Sequence, residues 1–215
     1  MGARVVGEAL SSESMKRLIL PLAFALLGYD LNGSTVDLTP RYVDTEIDGI
    51  KFRRLYFTED GKKIGISLDR ETDVTADPGG GVIFRFPKVP DASFRMTRSP
   101  IGADRPMSEG SMEQYREAAK ALVPSGVTDV VISEETTNPL PINRWVSQRF
   151  VITYLAGAAV MKQSVTFLNL NPETQVVLVT NASGKNFAEA AERSFQIIRT
   201  WHEVLPEDES RVTIN

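Results

Sequence analysis

The chain contains no cysteine. That absence removes disulfides, thiolate nucleophiles, iron–sulfur ligation, cysteine zinc sites and lipoprotein-type anchoring, because each needs a thiol. Histidine is nearly absent too, with His202 standing alone. A histidine-rich metal site within one chain is excluded, and a serine–histidine–aspartate triad would have to run through that residue. No sign of charge dominates: 24 Lys+Arg face 28 Asp+Glu, a net charge of −4. The molecule as a whole therefore has no pull toward nucleic acid or anionic lipid. No apolar run approaches the roughly 20 residues that a bilayer-spanning helix needs. No cofactor and no metal are implied.

What the 215 residues do contain is enough for one domain with a sizeable core. The first 35 residues look different from the rest. Lys16 and Arg17 precede the apolar run Leu18–Leu27, which ends at Gly28. A basic start followed by an apolar run of about ten residues matches the first two regions of an export signal. Met15 stands where such a signal would begin, so residues 1–14 read as an upstream extension. Ala23, Ala25, Gly28 and Gly33 offer small residues for cleavage. An uncleaved anchor or a core helix are the alternatives for the same segment. The expected location is extracytoplasmic, periplasmic or secreted, with membrane contact only through this segment if it is kept.

Residues 36–46 are polar and punctuated by Pro40, which predicts a linker, and the domain is expected over 47–205. Asp60-Gly61 between two runs rich in aromatic and β-branched residues is a hairpin signal. Asp77–Gly81 is a second turn, followed by the alternating strand Val82–Phe86 and, after a Pro-bounded turn, a strand over Ala92–Thr97. Met112, Tyr115, Ala119 and Leu122 recur at helical spacing, with Ser111 and Gln114 as a capping pair and Pro124 and Gly126 as the stop. The helix is expected over Ser108–Val123. Val127–Ile132 reads as a strand and Ser133–Arg144 as a loop. Three strand-like runs then follow with links too short for parallel crossovers, which makes an antiparallel meander. Phe187, Ala191, Ser194, Phe195, Ile198, Trp201 and His202 form one helical stripe over Phe187–Val204. Residues 206–215 are acidic and polar, and read as a disordered tail. Strands grouped rather than alternating with helices give an α+β class, an antiparallel sheet with helices packed on its faces, closing on the meander and a helix.

Five arginines, Arg53, Arg54, Arg85, Arg95 and Arg98, interleave with Phe52, Tyr56, Phe84, Phe86 and Phe94. Such a surface can present guanidinium groups to an anionic ligand or a protein partner, or be the solvated face of half-buried strands. Nearby Asp and Glu residues dilute its charge, so nucleic acid is not expected. Trp145, beside a Pro-bounded loop, can line a ligand groove or plug a core edge. The candidate ligand-binding residues are thus Arg54, Arg85, Arg95 and Trp145. Asp129, Glu134 and Glu135 could bind calcium or form an acid/base pair, though without regular spacing. His202 could act as a base or as a half-buried residue near a helix end, Ser194 sits mid-helix where no nucleophile elbow forms, and Asp77–Gly81 lacks the Lys-Ser/Thr pair of a phosphate loop. The segment Gly102–Ser111 precedes a helix, where backbone donors could take an anion or be capped by Ser108 or Ser111.

The strand pair in "VTFLNLNPETQVVLVTN" and the closing helix with "RSFQIIRTW" resemble the PsbP-like fold, whose relatives include the Mog-type Ran-binding proteins and small exported bacterial proteins. The resemblance covers roughly Ile47–Leu205 and carries no catalytic group. It implies a non-enzymatic scaffold that works by binding, often outside the cytoplasm. An exported binding or accessory protein is therefore expected, for an unknown protein or a small anionic ligand. The alternative is a carboxylate-dependent hydrolase with its site in the loop around Glu134.

Overall fold

A computed structural model describes residues 36–47, 49–68, 71–102, 107–140 and 145–204. The export-like segment 1–35 and the acidic tail 206–215 lie outside the described residues. Within them, strands β1 (Val36–Ile47), β2 (Ile50–Glu59) and β3 (Lys62–Leu68) come first, then β4 (Asp73–Asp77), β5 (Gly81–Arg85) and β6 (Ser93–Arg98). A 3₁₀ turn (Glu109–Ser111) leads into α1 (Met112–Ala121). The meander follows as β7 (Thr128–Thr137), β8 (Val146–Ala156), β9 (Ala159–Asn169) and β10 (Gln175–Ser183), and α2 (Phe187–Arg199) and β11 (His202–Glu203) close the chain. All pairings are antiparallel, which bears out the α+β class and the meander-then-helix ending.

The turn chemistry explains the hairpins. Asp60 and Gly61 both take positive φ, at 50° and 76°, which a two-residue hairpin turn requires. Gly157 at 61° serves the β8–β9 turn, and Gly80 closes the β4–β5 turn by donating to the Asp77 carbonyl at 2.9 Å.

The strands form two sheets rather than one. The seven-stranded sheet runs β4-β5-β6-β10-β9-β8-β7, and a four-stranded sheet runs β1-β2-β3-β11. Both the small sheet and α2 pack on one face of the large sheet. That core holds Leu55, Phe57 and Ile66 from the small sheet, Phe84, Phe94 and Met96 from the large one, and Ala190 and Ile198 from α2. The opposite face is covered by α1, whose Tyr115 and Ala119 meet Phe150, Ile152, Val165 and Phe167.

Several expectations are corrected. The stretch 36–46 is not a linker but most of β1. Val36 and Leu38 are 3% exposed in the core while Asp37 and Thr39 alternate outward. Pro40 is tolerated because β1 is an edge strand and its register shifts between Asp37 and Arg41, around the proline. The domain therefore includes residues from Val36 rather than starting near 47. Ser133–Thr137 is strand rather than loop, since β7 runs on to Thr137 through two register shifts against β8. The last helix stops at Arg199. Thr200 donates its hydroxyl to the Ile197 carbonyl at 2.8 Å and accepts from the Ser67 amide at 2.9 Å, turning the chain into β11. His202 consequently sits in an exposed strand opposite Gly65, not on the helical stripe. The buried side of α2 is Ala190, Ser194, Ile197 and Ile198. The 3₁₀ turn, not Ser111 with Gln114, holds the serine pair: the Ser108 amide donates to Ser111 Oγ at 3.2 Å.

The start of α2 is tied to the β6 side of the sheet by Asp91, which accepts from the Ser183 amide (3.0 Å) and the Asn186 side-chain amide (2.6 Å). These bonds, the Ser183 one foremost, hold its carboxyl down at about 2. A depressed carboxylate stabilises the fold fully above its unfolded value and loses that contribution as pH falls through the folded one. The window is therefore roughly pH 4 to 2. Because Asp91 is exposed, solvent screening reduces the effect to about 1 kcal/mol. Urea unfolding of Asp91→Ala and the parent should differ by about that amount at pH 7, and the difference should vanish near pH 2.

Candidate functional site

α2 lies across the middle of the large sheet and leaves part of that face uncovered toward β8 and β9. The result is a cleft of about 320 Å³. On the helix side Ala188, Ala191, Phe195 and Ile198 give it apolar contact, with exposed Glu192 among them, and Leu140 and Phe94 close it on the sheet side. Its floor is polar. Register places Arg149 of β8 opposite Thr166 of β9, with Ser164 two residues along β9 on the same face. Arg149, Ser164, Thr166 and Thr180 line the cleft together with Ser194.

These polar groups are answered unequally. Thr180 donates to Ser194 Oγ at 2.9 Å, and Ser194 donates to the Ala190 carbonyl at 2.8 Å. The mid-helix serine is thus spent on bringing helix and strand close together, which is a structural role. Ser164 and Thr166 are 8% and 6% exposed, and both line the cleft floor. Arg149 Nη2 donates to Glu134 at 2.5 Å and to Thr136 Oγ1 at 3.3 Å, while its Nε is buried without a partner. A buried donor left unpaired costs about 1–3 kcal/mol, so this floor departs from the ordinary rule of satisfied interiors.

The sequence-predicted residues fall elsewhere. Arg54 is on β2 of the small sheet, opposite Val43 and Ser67, whereas Arg85 and Arg95 are on β5 and β6 of the large sheet. Arg54 is thus on the other sheet, while Arg85 and Arg95 share one face of the neighbouring strands β5 and β6. Arg95 pairs with Asp77 at 3.1 Å, and Arg98 donates to the Val36 carbonyl at 2.8 Å. Both line an open depression of about 510 Å³ beside β1 and the β4–β5 turn. Trp145 packs edge-on against Trp201, with ring centroids 5.8 Å apart, as part of the core margin.

The carboxylates near β7 do not form a pair. Glu134 and Glu135 oppose Val151 and Phe150, successive residues of β8, and so point to opposite faces. Hydrogen bonds from Thr136 and then Arg149 hold the Glu134 carboxyl below its ordinary range, and Arg116 does the same for Glu135. Arg116 grips Glu135 through Nε at 2.8 Å and Nη2 at 2.9 Å. A general acid needs the reverse shift. Burial does raise the Glu59 carboxyl, against a bond from Asn171, but Glu59 belongs to β2. No group of three or more His, Asp or Glu side chains able to hold a metal occurs among the described residues. His202 donates from Nδ1 to the Thr200 carbonyl at 2.6 Å, on the exposed surface.

Arg149, Ser164 and Thr166 were not singled out from sequence. Their signal was there: Ser147 and Arg149, then Ser164 and Thr166, are polar at period two inside strands whose alternate residues are Phe150, Val165 and Phe167. In a strand buried on both faces, such a polar row marks an unfilled space.

No protein-family model matches the chain, and no curated protein does. Solved structures do. A Pseudomonas aeruginosa protein of unknown function is 12% identical with a TM-score of 0.41, covering 77% of this chain and 97% of its own. Cyanobacterial PsbP from Synechocystis is 12% identical with a TM-score of 0.45, covering 66% of this chain and 86% of its own. The Saccharomyces cerevisiae Ran-binding protein Mog1p is 12% identical with a TM-score of 0.31, covering 76% of this chain and 96% of its own. The matches include both groups that the sequence resembles.

Proposed function

We propose that this chain is an exported, non-catalytic binding or accessory protein that takes a small molecule in the cleft beside α2. The observation that carries the binding role is the cleft itself, where the polar side chains of Arg149, Ser164, Thr166 and Thr180 converge beneath Ala188, Ala191, Phe195 and Ile198. Small-molecule sites combine apolar walls with a few convergent polar groups, and the volume falls near the lower end of their range of roughly 300–1,000 Å³. Export is supported by Lys16-Arg17 and the apolar run behind them.

Two measurements test the two halves separately. The neutral reporter N-phenyl-1-naphthylamine should brighten on binding the parent chain and not the Ala191→Trp variant, in which an indole fills the cleft. Equal brightening in a folded variant would move the site elsewhere. For export, the mature N-terminus after expression in a secreting host should lie beyond the Leu18–Leu27 run. A chain that stays in the cytoplasm and begins before Met15 would overturn this half.

A further inference from the structure

We infer that the cleft's ligand is a small carboxylic acid with an apolar body, its head taken by Arg149 and the Ser164 and Thr166 hydroxyls. This rests on the cleft being the binding site, and it adds the chemistry of the occupant.

The argument starts from what the floor offers. Arg149 can only donate, its Nε is buried without a partner, and the Ser164 and Thr166 hydroxyls that line the cleft beside it can donate as well. A group that only accepts is their complement, and an ionised carboxylate is the smallest such group. A hydroxyl or amide head would bring donors of its own to a guanidinium that accepts none.

Charge points the same way. The Glu134 carboxylate engages one nitrogen, Nη2, and leaves Nη1 without a partner among the described residues. Lys162, on the same face of β9, adds a second positive charge beside Glu134. Arg149 is the cation that lines the cleft. Glu192 lines the helix side of the cleft, exposed, where it accepts from Gln196.

Glu134 has a second effect. By gripping Nη2 it fixes the guanidinium in place, so the head group meets a preset donor rather than a flexible one. It also repels an incoming anion. Removing its charge while keeping its hydrogen-bond acceptor should strengthen binding of an acid and leave a neutral analogue unchanged. A merely structural Arg149–Glu134 pair would show neither preference.

Beyond the head, Ala188, Ala191 and Phe195 on the helix and Leu140 opposite provide apolar contact for a short chain or one ring. The volume of about 320 Å³ excludes a diacyl lipid or a polymer as a fully enclosed occupant.

Octanoate and octan-1-ol, matched in their apolar part, are the probes, titrated calorimetrically into the full chain at pH 7.5. Octanoate should bind about tenfold more tightly than the alcohol. Arg149→Gln should abolish that preference, Arg149→Lys should keep most of it, and Glu134→Gln should increase octanoate affinity several-fold without changing the alcohol. If Arg149→Gln does not fold, the Glu134→Gln result decides alone. Equal affinity for acid and alcohol, or a preference that survives Arg149→Gln, overturns the carboxylate assignment. If the neutral reporter still binds in that case, the cleft remains the site and only its ligand class is wrong. If neither the reporter nor either probe binds, both proposals fall.

Discussion

Replacing Trp201 by alanine should lower stability by about 3–5 kcal/mol, enough to remove a large part of a domain's usual margin of about 5–15 kcal/mol. Trp201 follows α2 by two residues and precedes β11. Its ring stacks on Phe57 of the small sheet at 5.9 Å and meets Trp145 edge-on at 5.8 Å, just before β8 of the large one. It is 5% exposed, in the core that the two sheets share with α2. Alanine would leave a void bounded by three different elements, and none can close it without pulling away from another. That is the condition in which cavity costs are highest. Urea unfolding measures the loss directly. Trp201→Phe should recover more than half, because most of the ring contact returns. A loss below about 1 kcal/mol for the alanine variant would show that the two sheets are held together elsewhere.

Gly81→Val should cost about 3 kcal/mol, for the opposite reason. Gly81 opens β5 and pairs with Asp77 on one side and Thr97 on the other. A Cβ there would lie 2.4 Å from the Met96 carbonyl and 2.6 Å from Thr97 Cγ2. The carbonyl belongs to the β6 backbone and cannot step aside without breaking the ladder, so the strand must shift. Gly79, two residues earlier, is the control. Its nearest neighbour to an added Cβ is an Asp77 oxygen at 3.8 Å. Gly79→Ala should change stability by less than about 0.5 kcal/mol. Circular dichroism melts of the pair separate steric exclusion at Gly81 from a general effect of losing glycine in this turn. Equal effects would sink the steric account.

How much of this was legible depended on whether the controlling force was local. Asp60-Gly61, Gly157 and the Tyr115/Ala119 spacing act within a few residues, and the hairpins and α1 follow from them. β1 was missed because Pro40 and the polar residues around it look like a linker. What makes them a strand is the distant burial of Val36 and Leu38 in the shared core. β11 was hidden because Trp201 continues the periodicity of α2 while serving the core from outside the helix. Glu134 looked like a loop residue because Ser, Thr and Glu dominate its neighbourhood, yet pairing with β8 extends the strand through it. The arginines illustrate a further limit. Alternation tells which face of a strand a residue takes, but not which sheet the strand joins, and Arg54 joined the other one. The cleft is legible only after the fold is known, since the row Ser164–Thr166 is unusual only where both faces of β9 are covered.

The pairing of β11 with β3 also governs when the molecule can close. His202 meets Gly65 and Glu203 meets Ile64, so the small sheet is completed by residues from the far end of the described chain. Phe57 waits for Trp201 in the same way. During synthesis, the early hairpins can form from local sequence, but their apolar faces lack their last partners until α2 and β11 have emerged. Contacts of such wide sequence separation form late and slow folding. A nascent chain of this design keeps these two sheets open until α2 and β11 have been made.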